Sequence, residues 1–335
     1  MQAAIYGLEG LALTNEERSF FRDAEPAGFI LFRRNCDSQE QLLRLTDSLR
    51  ALSGKDDVPI LIDQEGGRVA RMRPPEWPAF PAAEKFATLY RAAPSSAIEA
   101  VRANARALAL MLRSVGINVN ALPLLDVRQE GASDIIGDRA LGSEPMQVAA
   151  LGRAVLDGMG SAGVVGIIKH MPGHGRALVD SHKELPVVSA SAADLETDLE
   201  PFERLASAPM GMTAHVVYTT WDPDRPASLS PMVIRDIIRE RIGFDGWLMS
   251  DDLGMEALRG GFGERAAGVV AAGCDVALHC SGKMDEMVAV AAAVPALSTE
   301  GHDRLARAMA GTRIDLDRVD FADEIAKRDQ LLALV

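Results

Sequence analysis

The chain has 335 residues, 48% of them hydrophobic and 25% charged, and a formal net charge of −13. That length suits one large α/β domain or two smaller ones with a substantial core, and the ordinary composition argues against extensive disorder. The acidic balance argues against nucleic acid or an anionic membrane as a main partner, because both need a basic footprint.

In chain order, the strand candidates are AAIYGL (3–8), GFILF (28–32), VPILID (58–63), INVNAL (117–122), VVGIIKH (164–170), MGMTAH (210–215), GWLMSD (246–251) and CDVALH (274–279). Most are continuous apolar runs rather than alternating ones, as parallel strands buried on both faces should be. Helices with readable starts lie between them. Thr14 and Glu17 have capping-box spacing, and Ser38 precedes QEQLLRLTDSLRAL. A long Ala-rich run over 97–116 ends at Gly116, and Ser143 precedes EPMQVAALGRAVLDGMG with Pro145 in its first turn. Ser230 and Pro231 open PMVIRDIIRERIG, which stops at Gly243.

About eight strands alternating with helices predict an α/β fold, a (β/α)8 TIM-like barrel forming a single domain over 1–335. A doubly wound sheet is the runner-up, but Gly7 and Gly10 after the first strand lack dinucleotide-binding spacing. The N-terminal MQAAIYGLEG has no basic signal-peptide start, and no long uncharged apolar window occurs, so a cytoplasmic protein without a membrane span is expected. Cys36, Cys274 and Cys280 form no zinc or redox spacing, which suits a reducing compartment. Cys274 sits in an apolar run and reads as a buried thiol. No cofactor is implied.

In such barrels the chemistry sits at the C-terminal ends of the strands. Asp63 ends the third candidate, Lys169 and His170 the fifth, His215 the sixth and Asp251 the seventh. The run KHMPGHGRALVDSH (169–182) holds three of the six histidines. His170 and His174 are four apart, but Pro172 and Gly173 between them break a helix, so a helical metal pair fails. A loop gathering His170, His174, Asp180 and His182 around zinc stays open as an alternative. Asp180 and His182, if extended, point to one side, and a carboxylate there orients imidazole and favours its protonated form. That suits a proton donor, while the plain alternative is a hydrogen-bonded loop pair.

Strand alternation lets only one of Asp251 and Asp252 face the barrel mouth, as a nucleophile or charge stabiliser unless it caps a helix. In LIDQEGGRVARM, Asp63 ends a strand, two glycines allow a tight turn, and Arg71 could return to the same pocket. In SDIIGDRALGSEP, Asp138 and Arg139 follow strand four and could equally be a surface pair.

Together, KHMPGHG…DSH, the later SDDLGM, IDQEGGRVARM, IGDRALGSEP and MTAHVVY resemble the family 3 glycoside hydrolases, specifically their single-domain bacterial β-N-acetylglucosaminidases, over about residues 1–310. The resemblance implies a retaining mechanism with Asp251 as nucleophile, His182 as acid/base and Asp180 as its dyad partner. It implies sugar contacts at Asp63, Arg71, Arg139, Lys169 and His170, and no metal. It also implies a carbohydrate substrate with a terminal non-reducing β-linked N-acetylglucosamine, in cytoplasmic members a 1,6-anhydro-muropeptide of cell-wall recycling. Asp251 must stay ionised, so Lys169 or other donors are expected to hold its pKa low. Arg176, after the PGHG, departs from the acidic or polar residue common in relatives, and the tail beyond about 310 is less recognisable. His174 is expected to shape the loop, and His215 to line the pocket, with a satisfied core histidine as the alternative. Phosphorolysis at the same site and a zinc-dependent hydrolase are the rival reactions.

Overall fold

The computed structural model describes residues 1–312 and 320–335. Strands β1 (Gln2–Gly7), β2 (Pro26–Leu31), β3 (Ile60–Ile62), β4 (Val119–Asn120), β5 (Val165–Met171), β7 (Met210–Thr213), β10 (Trp247–Asp252) and β11 (Val276–His279) close into a barrel in the order β1-β11-β10-β7-β5-β4-β3-β2. Every neighbouring pair is parallel. Three short strands, β6 (Val187–Val188), β8 (Val217–Tyr218) and β9 (Asp222–Pro226), form a small separate sheet beside the mouth loops.

Closure explains why the strands read as unbroken apolar runs. Alternation sends Ile5, Ile30, Leu61, Val119, Ile167, Met210, Trp247, Met249, Val276 and Leu278 into the barrel interior, where they pack as one buried cluster. The intervening Ala4, Tyr6, Phe29, Leu31, Ile60, Ile62, Ile168, Leu248 and Ala277 face outward and pack with the helices. Both faces are dry, so neither shows a polar stripe.

Helices return the chain between strands: α1 (Asn15–Ala24), α2 (Gln39–Ser53), α3 (Ala83–Ala92), α4 (Pro94–Ser114), α5 (Pro145–Gly160), α6 (Ala192–Arg204), α7 (Phe262–Ala272), α8 (Met284–Ala293) and α9 (Thr299–Met309), with α10 (Phe321–Leu332) packed on α4. The capping box is present: Thr14 Oγ1 accepts from the Glu17 N–H at 3.1 Å, and Glu17 Oε2 accepts from the Thr14 N–H at 2.8 Å. At α5 the cap position is Glu144, not Ser143, and no side chain caps it. The helix opened by Ser230, whose Oγ accepts from the Val233 N–H at 3.1 Å, winds as a π-helix over Val233–Arg241. Among the described residues no helix is long and apolar enough to cross a membrane.

Strand four is shorter than the 117–122 run suggests. Around it, asparagine amides replace ladder bonds. Asn118 Oδ1 accepts from the Ile60 N–H at 2.8 Å and its Nδ2 donates to the Val58 carbonyl at 3.0 Å. Asn120 does the same for Gln64, accepting its N–H at 3.0 Å and donating to its carbonyl at 2.9 Å. These clamps fix the segment after Asp63, which carries part of the site.

Candidate active site

A cavity of about 230 Å³ opens at the C-terminal ends of the strands. Its wall includes Asp63, Glu65, Arg71, Arg139, Lys169, His170, His174, His182 and Asp251. The strand ends therefore converge as barrel geometry requires.

The segment after β3 makes one side. Gly66 (φ 101°) and Gly67 (φ 54°) turn the chain sharply, and a Cβ on Gly66 would stand 2.3 Å from the Pro81 carbonyl oxygen. Gln64 Oε1 accepts from the N–H groups of Arg71 and Met72 at 2.8 and 3.0 Å, so the turn delivers Arg71 back to Asp63. Arg71 Nη2 donates to Asp63 Oδ2 at 3.1 Å. Lys169, 2% exposed, lies between Asp63 Oδ1 at 3.1 Å and Glu65 Oε1 at 2.7 Å. Arg139 grips Glu65 with two bonds of 2.8 Å, the bidentate fork typical of Arg and carboxylate. Asp138 turns away to Arg68 at 2.8 Å, so Asp138 and Arg139 are not a surface pair.

Burial would raise the Asp63 and Glu65 carboxyls, but Lys169 with Arg71 or Arg139 outweighs it and both lie below their ordinary values. Burial would lower Lys169, yet the two carboxylates hold it up. The result is an ionised, desolvated network. Glu65 is a member the sequence reading missed, although it stands two residues from Asp63, a spacing that shares a side in extended chain.

Asp126, fully buried, organises the next wall. Its Oδ2 lies 2.8 Å from His170 Nδ1, and its Oδ1 accepts from the backbone N–H of His170 at 3.1 Å and of His174 at 2.7 Å. It too was missed, because the 124–126 segment joins β5 through a single bridge, Leu124 to Lys169, and shows no strand pattern.

Asp251 ends β10. Burial would push its carboxyl up, but the His170 and His215 imidazoles and the Asp252 N–H, which donates to Oδ1 at 2.8 Å, leave it below the ordinary carboxylate range. Of the groups expected to do this, Lys169 is instead occupied by Asp63 and Glu65, and the other donors take its place. Asp252 also lines the cavity, contrary to strict alternation, but its Oδ1 is taken by the N–H groups of Gly254 at 2.9 Å and Cys280 at 3.2 Å. His215 is not in the wall. It is fully buried, with Nδ1 2.7 Å from Ser228 Oγ and Nε2 3.0 Å from the Asp252 carbonyl, so the pocket-lining expectation is corrected in favour of the satisfied core histidine.

The loop after β5 carries the remaining candidates. Asp180 Oδ1 accepts from the His182 N–H at 2.9 Å and lies 2.9 Å from His182 Nδ1. The two meet in a turn, not in extended chain as the spacing suggested. Burial would raise the Asp180 carboxyl, but the His182 N–H and ring bring it below its ordinary value. The His182 side chain is 61% exposed and reaches the cavity wall, whereas Asp180 stands behind it. The Lys169–His170 peptide at the loop's root is cis. All three cysteines are free and buried, Cys280 in the cavity wall. Among the described residues, no group of three or more His, Cys, Asp or Glu is placed to hold a metal ion.

Charged strand ends around a cavity at the C-terminal face, with a His–Asp pair at its mouth, are the arrangement of a barrel enzyme. The chain matches the family model described as glycosyl hydrolase family 3 N terminal domain over residues 3–310. It is 41% identical over 280 residues to a β-hexosaminidase of Alkalilimnicola ehrlichii, covering 82% of this chain and 79% of that one. It is 36% identical over 326 residues to a β-hexosaminidase of Methylococcus capsulatus, covering 96% and 95%. The crystal structure of native NagZ from Neisseria gonorrhoeae superposes with a TM-score of 0.88 at 31% identity, covering 99% of this chain and 98% of that one. The same protein is known in complex with N-trifluoroacetyl-D-glucosamine (TM-score 0.86, 31% identity, the same coverage). This chain belongs to glycosyl hydrolase family 3.

Proposed function

We propose that this β-N-acetylhexosaminidase is a retaining enzyme that removes terminal non-reducing β-linked N-acetylglucosamine, with Asp251 as nucleophile and His182, oriented by Asp180, as acid/base. The observation that carries the reading is one cavity walled by an ionised carboxylate on a rigid strand end and by an imidazole on a loop. The β-hexosaminidase relatives and the glucosamine-derivative complex of NagZ supply the sugar class.

Asp251 attacks the anomeric carbon as the glycosidic bond breaks through an oxocarbenium-like state, and the departing oxygen needs a proton. Because Asp180 engages Nδ1 of His182, Nε2 is the nitrogen left to exchange protons with the substrate. After the aglycone leaves, the neutral ring takes a proton from water, which attacks the glycosyl-Asp251 ester and restores the carboxylate. Asp180 offsets the imidazolium charge. In the floor, Lys169 has three N–H donors and its two carboxylate partners use two, leaving one for a sugar hydroxyl. Asp63, Arg71, Arg139 and His170 complete the grip, and fixed contacts of this kind position the anomeric carbon. The natural substrate in this reading is the N-acetylglucosaminyl-1,6-anhydro-muropeptide expected from the resemblance, and the whole chain serves as one catalytic domain.

The test is mechanism-based trapping. A 2-deoxy-2-fluoro-glycosyl donor of the N-acetylglucosamine configuration should leave a covalent sugar on the peptide holding Asp251, located by tandem mass spectrometry. Turnover of 4-nitrophenyl N-acetyl-β-glucosaminide without any adduct on Asp251, or an adduct on Asp252, would overturn the assignment.

A further inference from the structure

The loop after β5 is anchored unevenly. Its root is held from several sides. The Tyr218 hydroxyl donates to the Gly173 carbonyl at 2.6 Å, Asp126 takes the His174 N–H, and Gly175 packs so tightly that a Cβ would stand 1.9 Å from the Val127 carbonyl oxygen. Arg176 pairs with the buried Asp198 of α6 and donates to the Asp194 carbonyl at 2.8 Å, giving the residue that departs from the family pattern a structural task. The Ser133 N–H donates to the Ala177 carbonyl at 2.9 Å. Beyond Ala177 these ties stop. Over residues 178–185, among the described residues, one hydrogen bond joins the segment to the rest of the protein: Ser181 Oγ to His174 Nε2 at 3.1 Å. Ser181 is 3% exposed, while Leu178 and His182 through Glu184 are exposed.

We propose that the His174–Ser181 hydrogen bond is the latch that sets the position of the His182–Asp180 dyad, making His174 and Ser181 positioning residues for proton transfer. The inference rests on the acid/base reading of His182 given above. Three arguments support it. Ser181 lies between the two dyad members in sequence, so its anchoring fixes both. The dyad bonds are internal to the turn and tie it to nothing outside. His174 is itself immobilised, by Asp126 at its backbone and by burial of its ring edge-to-face against His170 at 5.6 Å, so the latch transmits the rigidity of the floor to an otherwise exposed turn. A segment with few buried contacts samples many positions unless something holds it, and small misplacements of a proton donor are costly.

Ser181→Ala removes the latch without touching a reacting atom. A misplaced acid/base has a signature that general damage lacks. Phenyl N-acetyl-β-glucosaminide, with a poor leaving group, needs the proton, whereas the 2,4-dinitrophenyl analogue does not. Ser181→Ala should lower kcat/KM for the phenyl substrate about 10-fold or more and leave that for the dinitrophenyl substrate within about threefold. Azide needs no general base: it attacks the anomeric carbon of the glycosyl-enzyme, displaces Asp251 and forms the β-glycosyl azide. It should accelerate dinitrophenyl turnover in the variant. In a His182→Ala background, Ser181→Ala should cost nothing further, since residues acting through one group are non-additive. Equal losses on both substrates, or a full Ser181→Ala effect without His182, would overturn the latch. If His182→Ala itself lowers both substrates equally, the acid/base assignment fails first and the latch with it.

Discussion

The floor of the cavity and the loop beside it are built in opposite ways. The floor sets each charge against a counter-charge: Lys169 between Asp63 and Glu65, Arg139 across Glu65, Arg71 on Asp63. Lys169 and Glu65 are buried and Asp63, Arg71 and Arg139 half-buried, and because they are cross-linked, moving one disturbs the others. The loop's charged pair, Asp180 and His182, is local and partly exposed. A sugar ring must be held the same way at every turnover, which suits the first construction. A proton donor must approach the leaving oxygen and later a water, which suits the second.

The comparison breaks most visibly at Asp251. Asp251→Asn should lower kcat for 4-nitrophenyl N-acetyl-β-glucosaminide on the order of 10⁴-fold with an unchanged melting temperature, because the proposed nucleophile is lost and the fold is not. Lys169→Met tests the floor as a unit. It leaves two buried carboxylates without their shared cation, and urea titration should show a loss of about 3 to 5 kcal/mol. His182→Ala tests the loop, and should cost about 100-fold in kcat/KM on the phenyl substrate with little change in stability. The smallest effect joins the two regions through His174, whose burial lowers its pKa from 6.5 to about 4. A ring kept neutral in the folded state stabilises above the unfolded pKa, and that contribution is lost as pH falls towards the folded one. Between pH 6 and 4.5 the parent should lose about 2 kcal/mol more than a His174→Gln variant, read from paired denaturation curves.

How much of this was legible depended on whether a residue's partner lay near it in sequence. The barrel followed from eight apolar runs, and the rule about strand ends placed Asp63, Lys169, His170 and Asp251 in one cavity before any contact was known. The return of Arg71 followed from two glycines. Partners brought from other strands were hidden. Nothing near His170 announces Asp126, 44 positions away, whereas Glu65, 104 positions from Lys169, was signalled only by its spacing from Asp63. His215 looked like a wall residue because its strand end was known, whereas Ser228, which satisfies it inside the core, sits on a 3-10 turn with no pattern of its own. Strand four was overdrawn because Asn118 and Asn120 do with side chains what a longer ladder would do with backbone.

The packed barrel interior has a last consequence. Ile30, Met212 and Leu278 of that interior also line the cavity, and because such a barrel is packed rather than hollow, the cavity opens only at the mouth. A polymer cannot be threaded through a blind pocket: only an end can enter, and the severed unit must back out by the way it came before another arrives. In the proposed function, attack is then confined to chain termini, one unit per encounter, and the free sugar competes with every incoming end for the same doorway.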